Sequence, residues 1–412
     1  MKKLSCFAFI GVIILVGSSL ATSYAQTSAS PYVVPMIWNF DGRYIALVNA
    51  DAIEVKNAED LSTLQSLALQ GNKVTKIAWS PDGSRIAASS YDQTVKLWHI
   101  STGDLAQELP HSDGVAFVKW HPNEDILISS VVEEHPTLFV WNASEFTLIS
   151  RSSGGSITSG EFSPDNHYFA TSTPWSIRIL SASDFTLLKR AESSSEPICC
   201  ANQIYSLAWS QDGSFIVTGS MDGLVTVWNA KTLQISRQFF ANSYAKKIVS
   251  EIEDLSRSWV RDVAFSTDGS SVLAISGDGT FREWAVQDGT LLSERQLPPL
   301  ATATFSPYTG RLVYIDLSFL PSLQSATTAQ DLTDGVHIIV PDPSFENLNR
   351  LAARCVQDGN ATQSAAAQLA EVAVTESSLA TFITQVKNLP PDAIPPACTA
   401  DLLAIAEALQ GQ

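Results

Sequence analysis

A chain of 412 residues with 45% hydrophobic and 16% charged residues has enough apolar material for a sizeable interior and is not disordered by composition. Its formal net charge of −17 repels phosphate backbones, which argues against nucleic acid as a partner. Serine is plentiful and charge is sparse, which suits many short strands joined by turns better than long surface helices.

Lys2 and Lys3 precede an apolar run over residues 6–16, and a small, polar stretch then ends in Ser23-Tyr24-Ala25. This layout predicts a secretory signal over residues 1–25, cleaved after Ala25, and so an exported protein, periplasmic or secreted. An uncleaved anchor is the alternative, but a bilayer span wants about 20 apolar residues and this run is far shorter. No later segment is apolar enough to cross a membrane.

From residue 26 to 343 one pattern recurs. An apolar run ends in an aromatic, at Trp38, Trp79, Trp120, Phe162, Trp209, Phe265 and Phe305, with successive spacings of 41, 41, 42, 47, 56 and 40 residues. A turn comes after each, as in Ser80-Pro81-Asp82-Gly83 or Ser210-Gln211-Asp212-Gly213. Proline pre-sets φ there, and glycine or asparagine permits the positive φ of a tight hairpin. A second β-rich run comes next, over residues 85–89, 215–220 or 271–276. A third run often closes in tryptophan, at Trp98, Trp141, Trp228 and Trp284, and Asp92, Asp222 and Asp278 stand before three of these. A fourth, more polar strand leads on. Four strands at a period near 41 form one blade, and seven blades close a ring, so the expected fold is an all-β seven-bladed propeller of four-stranded antiparallel blades.

These residues resemble the WD-repeat family, over roughly residues 32–343; the resemblance implies a scaffold, and with the N-terminal signal the expectation is an exported, bacterial-type member. In that family a histidine ahead of the first strand bonds to Asp, Ser/Thr and Trp of its own blade. Counting back seven from each aromatic gives Asn72, Asp113, Gly155, Asn202, Ser258 and Pro298, none of them histidine. Asn72 and Asn202 are the substitutes, so blades two and five are expected to be the best ordered, and blades one, four and seven degenerate. Ring closure has two solutions: a short N-terminal strand added to blade seven, or a bare edge covered by the chain beyond Pro343.

Residues 344–412 turn rich in Ala, Leu and Gln. Leu348, Leu351, Ala352 and Cys355 follow i, i+3, i+4, i+7 spacing, as do Leu379, Phe382, Ile383 and Val386, and then Leu402, Ile405, Ala406 and Leu409. This predicts a small all-α C-terminal domain. A disulfide between Cys355 and Cys398 is the expected staple, contributing about 4 kcal/mol. Cys199 and Cys200 are left as adjacent thiols, as a strained vicinal disulfide or as a bond to another chain.

Insertions over residues 191–203, 239–258 and 316–335 all fall in connections that the resemblance places on one face, where repeat proteins often bind. Tyr91 and Met221 before the loop aspartates, with Trp175 and Trp259, are the candidate partner-binding residues. Asp92, Trp98, Trp141, Asp222, Trp228, Asp278 and Trp284 are assigned structural roles. No catalytic motif, cofactor site or pair of histidines at metal-ligand spacing emerges. His111, Asp113, Glu133, Glu134 and His135 are the one polar cluster worth testing for metal. The expected function is therefore a protein- or peptide-binding scaffold without catalysis. The alternative is an extracytoplasmic hydrolase or metal- or ligand-binding propeller, with its site on the upper face or in the central channel.

Overall fold

The computed structural model describes residues 35–40, 42–49, 52–69, 73–131, 137–153, 157–173, 176–192, 203–242, 259–266, 268–306, 312–316, 336–339 and 379–389, with positions 402, 403, 406, 409 and 410. The expected secretory signal, all four cysteines after residue 25, Trp175, His135 and the greater part of the three insertions lie outside these residues.

Local chemistry sets the hairpins. In the second repeat the Ser80 hydroxyl accepts the Arg85 N–H at 2.9 Å and donates to Asp82, whose carboxylate takes the Ser84 N–H at 3.1 Å. Gly83 closes the turn at φ 69° with open space around its α-carbon. Ser163 with Asp165, Ser210 with Asp212, and Ser266 with Asp268 repeat the arrangement. Where serine is replaced, another acceptor takes over. Asn39 Oδ1 receives the Tyr44 N–H in the first repeat, and His121 Nδ1 receives the N–H groups of Asn123 and Glu124 in the third.

The strands pair in chain order as six four-stranded antiparallel sheets, and a seventh sheet has three strands among the described residues. The first strands are Met36–Trp38, Val74–Trp79, Val115–Trp120, Ser159–Phe162, Ile204–Trp209, Val260–Phe265 and Leu300–Phe305. All seven line one central channel of about 430 Å³. They are the inner strands of seven blades. The fourth strands form the circumference, and Leu187–Glu192 is almost wholly exposed.

Packing explains why the ring holds. A blade is apolar on both faces, so its second strand reads as a buried run: Ile86, Ala87 and Ala88, or Ile216 and Val217. Each hydrophobic cluster joins two consecutive sheets. Ala46, Ile53 and Val55 of blade one pack with Ile77, Trp79 and Trp98 of blade two. Trp38, Ile45 and Leu47 of blade one pack with Val313, Ile315 and Val336 of blade seven, and Trp38 Nε1 donates to the Thr304 carbonyl at 3.2 Å. First and last blades therefore meet side by side and close the circle. Both expected ways of covering blade seven involve residues outside those described.

A histidine relay sits in blade three, at a histidine that the spacing count passed over, while the expected substitutes Asn72 and Asn202 lie outside the described residues. His111 lies nine residues before Trp120 because the connection into this blade is two residues longer than the spacing counted. Its Nδ1 is 2.9 Å from the Leu109 carbonyl, an acceptor only, so Nδ1 carries the proton. Nε2 then accepts from the Ser129 hydroxyl at 2.7 Å, and Ser129 Oγ accepts the Trp141 indole N–H at 2.9 Å. The ring packs edge-on against Phe139, with centroids 4.8 Å apart. Burial above all lowers the His111 pKa to about 4, so the imidazole is neutral, as the relay requires.

Leu379–Lys387 is a helix with Leu379, Phe382, Ile383 and Val386 buried, the face that the spacing predicts. Leu402 and Ala406 are buried helical positions of the last predicted element.

Candidate functional site

In each blade the inner strand begins at the same end where the second strand stops and the third starts, because the pairing is antiparallel. Val74 pairs with Ser90, Ile204 with Ser220 and Val260 with Ser276. Three equivalent backbone bonds mark this end: Tyr91 N–H to Lys73 O, Met221 N–H to Gln203 O, and Gly277 N–H to Trp259 O. Tyr91, Met221 and Trp259 thus share one rim, the upper rim. The aromatic ends of the inner strands and the Ser-Asp turns occupy the opposite one.

Tyr91 is 56% exposed, its ring packed along Gly114, where an added Cβ would come within 3.1 Å of it. Burial of its hydroxyl end, and then the Tyr205 phenol of blade five, raise the Tyr91 pKa. Tyr205 is the hub. The Lys76 ammonium of blade two lies 5.0 Å from the Tyr205 ring centroid, and the Trp259 ring centroid lies 5.9 Å from it, the two rings tilted at 35°. The Arg261 guanidinium sits 5.3 Å over Trp259 and donates to the Leu300 carbonyl. The result is a run of cation–aromatic and tilted ring–ring contacts drawn from blades two, five and six. Met221 is half-buried in the equivalent turn of blade five.

Beneath this mouth lies Asp262, which takes the Val263 N–H on one oxygen at 2.9 Å. On the other it takes the Phe305 N–H at 2.8 Å and the Thr304 hydroxyl at 3.1 Å. Burial outweighs these donors and raises its pKa to about 6, with Lys76 pulling the other way. Farther along the channel Lys119 and Glu161 form an ion pair at 2.6 Å between blades three and four.

Tyr91 and Trp259 are brought toward one mouth. Lys76, Tyr205, Arg261 and Asp262 were missed by sequence reasoning, although one signal marks them: they are charged or phenolic residues on strands that otherwise read as apolar. The assigned structural residues sit within the blades. Asp92 accepts from the Thr94 N–H and pairs with Lys96 at 2.9 Å. Asp222 accepts from Ser220 and the Leu224 N–H, and Asp278 from the Thr280 N–H. Trp98, Trp141, Trp228 and Trp284 are buried. Trp228 donates to Thr218 at 2.9 Å, and Trp284 stacks on Phe239. The relay turns His111 into its blade, so both ring nitrogens are engaged there and neither faces a metal cluster. Among the described residues no group of three or more His, Cys, Asp or Glu could hold a metal ion, and no helix is long and apolar enough to cross a membrane.

The model for the WD domain, G-beta repeat, matches residues 62–99, 196–229 and 251–285. These segments contain the first three strands of the blades with Asp92, Asp222 and Asp278. Relatives include Protein HIR1 of Cryptococcus neoformans, 24% identical over 216 residues, covering 47% of this chain and 24% of the relative. COMPASS component SWD3 of Saccharomyces cerevisiae is 24% identical over 250 residues, covering 58% of this chain and 75% of the relative. The match to HIR1 and that to the WD repeat-containing protein 91 homolog of Dictyostelium discoideum span under a third of those relatives' lengths. Among solved structures, the β-propeller domain of Cps50 (Swd1) from Myceliophteria thermophila superposes with a TM-score of 0.55 at 16% identity, over 71% of this chain and 95% of that one. A chain of the Mitotic Checkpoint Complex gives 0.58 at 16% identity, over 71% and 86%. With its seven sheets the chain is a β-propeller, and three of its segments match the WD domain, G-beta repeat.

Proposed function

We propose that the chain is a non-catalytic platform that binds a protein or peptide at the upper mouth of its channel. One observation carries this reading. Tyr91, Tyr205 and Trp259 gather there from three blades, with Tyr91 more than half exposed, although ring packing is already supplied by the inter-blade clusters. Exposed aromatics around a concave mouth are the usual anchors of a binding hot spot. Two similar proteins carry assemblies in their names, COMPASS for one and the Mitotic Checkpoint Complex for the other, which supports an assembly role here. Met221 and Trp175 extend the same surface in this reading.

The test is recovery of partners from the native host with wild type, Tyr91→Ala and Trp259→Ala. The variants should keep the wild-type melting profile and lose the partner. Retention of the same partner by both contradicts the reading.

Export remains part of the proposal, resting on Lys2, Lys3, the apolar run and Ala25. N-terminal sequencing of the native protein should begin at Gln26, and a mature protein that retains Lys2 and Lys3 overturns it. The Cys355–Cys398 staple within a C-terminal domain over 344–412 belongs to the same proposal, since an oxidising compartment is what would form it. Non-reducing peptide mapping should find those two cysteines linked.

A further inference from the structure

The mouth has a charge pattern at odds with the rest of the molecule. The chain carries −17 overall, yet Lys76 and Arg261 stand at this opening. The rim aspartates Asp92, Asp222 and Asp278 are each tied into their own turn, and the carboxylate beneath the opening is Asp262. That carboxylate is buried and already accepts three hydrogen bonds. Lys119, farther down, is neutralised by Glu161. Lys76 Nζ makes no hydrogen bond or ion pair among the described residues. Its ammonium is held at the face of Tyr205 and lines the channel. A lysine so placed keeps its three N–H donors available to an incoming acceptor.

The aromatic contacts run against the opposite preference. One face of Tyr205 and one of Trp259 are each already covered by one of the protein's own cations, so a ligand ammonium or guanidinium would compete with them there. A channel of about 430 Å³ has room for one side chain, not for a folded element. Nucleic acid is disfavoured because its extended phosphate backbone would meet the net negative surface, whereas a single inserted group feels mainly charges within a Debye length of about 8 Å.

We infer that the upper mouth recognises an anionic side chain presented by a partner's peptide segment, with Lys76 as the direct ligand and Tyr91 as the rim against which the segment packs. This deepens the platform reading and rests on it. The ligand chemistry is a carboxylate or a phosphate on a peptide, and the two share the same acceptor geometry toward an ammonium.

Fluorescence polarisation with labelled decapeptides tests it. The probes carry a central Glu, Gln, phosphoserine or Lys in an otherwise constant Gly/Ser/Tyr background, and the protein is the full chain. Wild type should bind the Glu or phosphoserine peptide at least about tenfold more tightly than the Gln peptide, with Lys weakest. Lys76→Met, which keeps the apolar stem on Tyr205, should erase the preference, and Lys76→Arg should restore it. Whichever of the two anions binds more tightly identifies the source. Equal binding of Glu and Gln peptides, tighter binding of the Lys peptide, an intact preference in Lys76→Met, or no binding by any probe overturns the inference. If the neutral or basic peptide binds and Tyr91→Ala abolishes that binding, the anion inference falls while the platform reading stands. A native partner retained by Tyr91→Ala and Trp259→Ala removes the platform itself.

Discussion

The two ends of the inner strands obey different rules. At the lower end the same parts recur in blades two, four, five and six: an aromatic, a Ser, an Asp, and a residue at positive φ. At the upper end the backbone bonds and turn aspartates recur, but the side chains that face the opening do not. Lys76, Tyr205 and Arg261 occupy comparable places on three inner strands, yet each is a different residue type, and they meet one another across the opening. Repetition here marks groups that satisfy their own blade. Departure from repetition marks groups whose partners are in other blades or outside the molecule. Groups bonded within their own blade should therefore govern stability, and the groups that face the opening at the upper end should govern binding, and substitutions can separate the two.

The largest effect is expected within a blade. Trp228→Ala empties a fully buried site and leaves Thr218 without its indole donor, so denaturant unfolding should show a loss of about 3–5 kcal/mol. His111→Leu should cost about 1–3 kcal/mol, because Ser129 then faces an apolar group where it bonded imidazole.

The same histidine predicts a pH signature. Its folded pKa, about 4, is depressed below the ordinary value of 6.5, so its stabilising contribution is present above 6.5 and is lost as pH falls toward 4. Asp262 acts with the opposite sign. Its folded pKa of about 6 exceeds the ordinary 3.8, so its contribution is greatest at low pH and declines as pH rises through 6. The two offset each other between pH 4 and 6. His111→Leu should accordingly make the protein gain stability on acidification through that window relative to wild type, as read by chemical denaturation at several pH values.

Turn chemistry comes next. Ser80→Ala removes both the acceptor for the Arg85 N–H and the donor to Asp82, and should cost about 1 kcal/mol. At the upper rim, Tyr91→Ala should change stability by less than about 0.5 kcal/mol, as an exposed substitution. A loss of several kcal/mol there would show that the rim is part of the packing after all and would break the comparison.

Much of the lower end was legible in the sequence because its information is local. Ser80-Pro81-Asp82-Gly83 forms its turn with groups only a few residues apart, and the helix over Leu379–Lys387 announces itself through one periodic face. The blade count came from the period, since each copy needs only its neighbours to bury its sides. His111 was missed for a smaller reason. A fixed count of seven residues fell on Asp113, while a longer connection moved the histidine two places upstream. The mouth was legible only at its edge. Tyr91 and Trp259 sit at turn and strand-start positions that can be placed by register. Tyr205 is separated from Lys76 by three blades of chain, and no spacing rule reports that a ring brings them face to face.

Hydrogen exchange on the protein with and without its bound partner tests the division of labour most directly. The account predicts slowed exchange at residues 73–76, 91–93, 203–206 and 259–262, with the turns at 80–84, 163–167 and 210–214 unchanged. Protection confined to those lower turns, with the upper mouth exchanging as in the free protein, would contradict it.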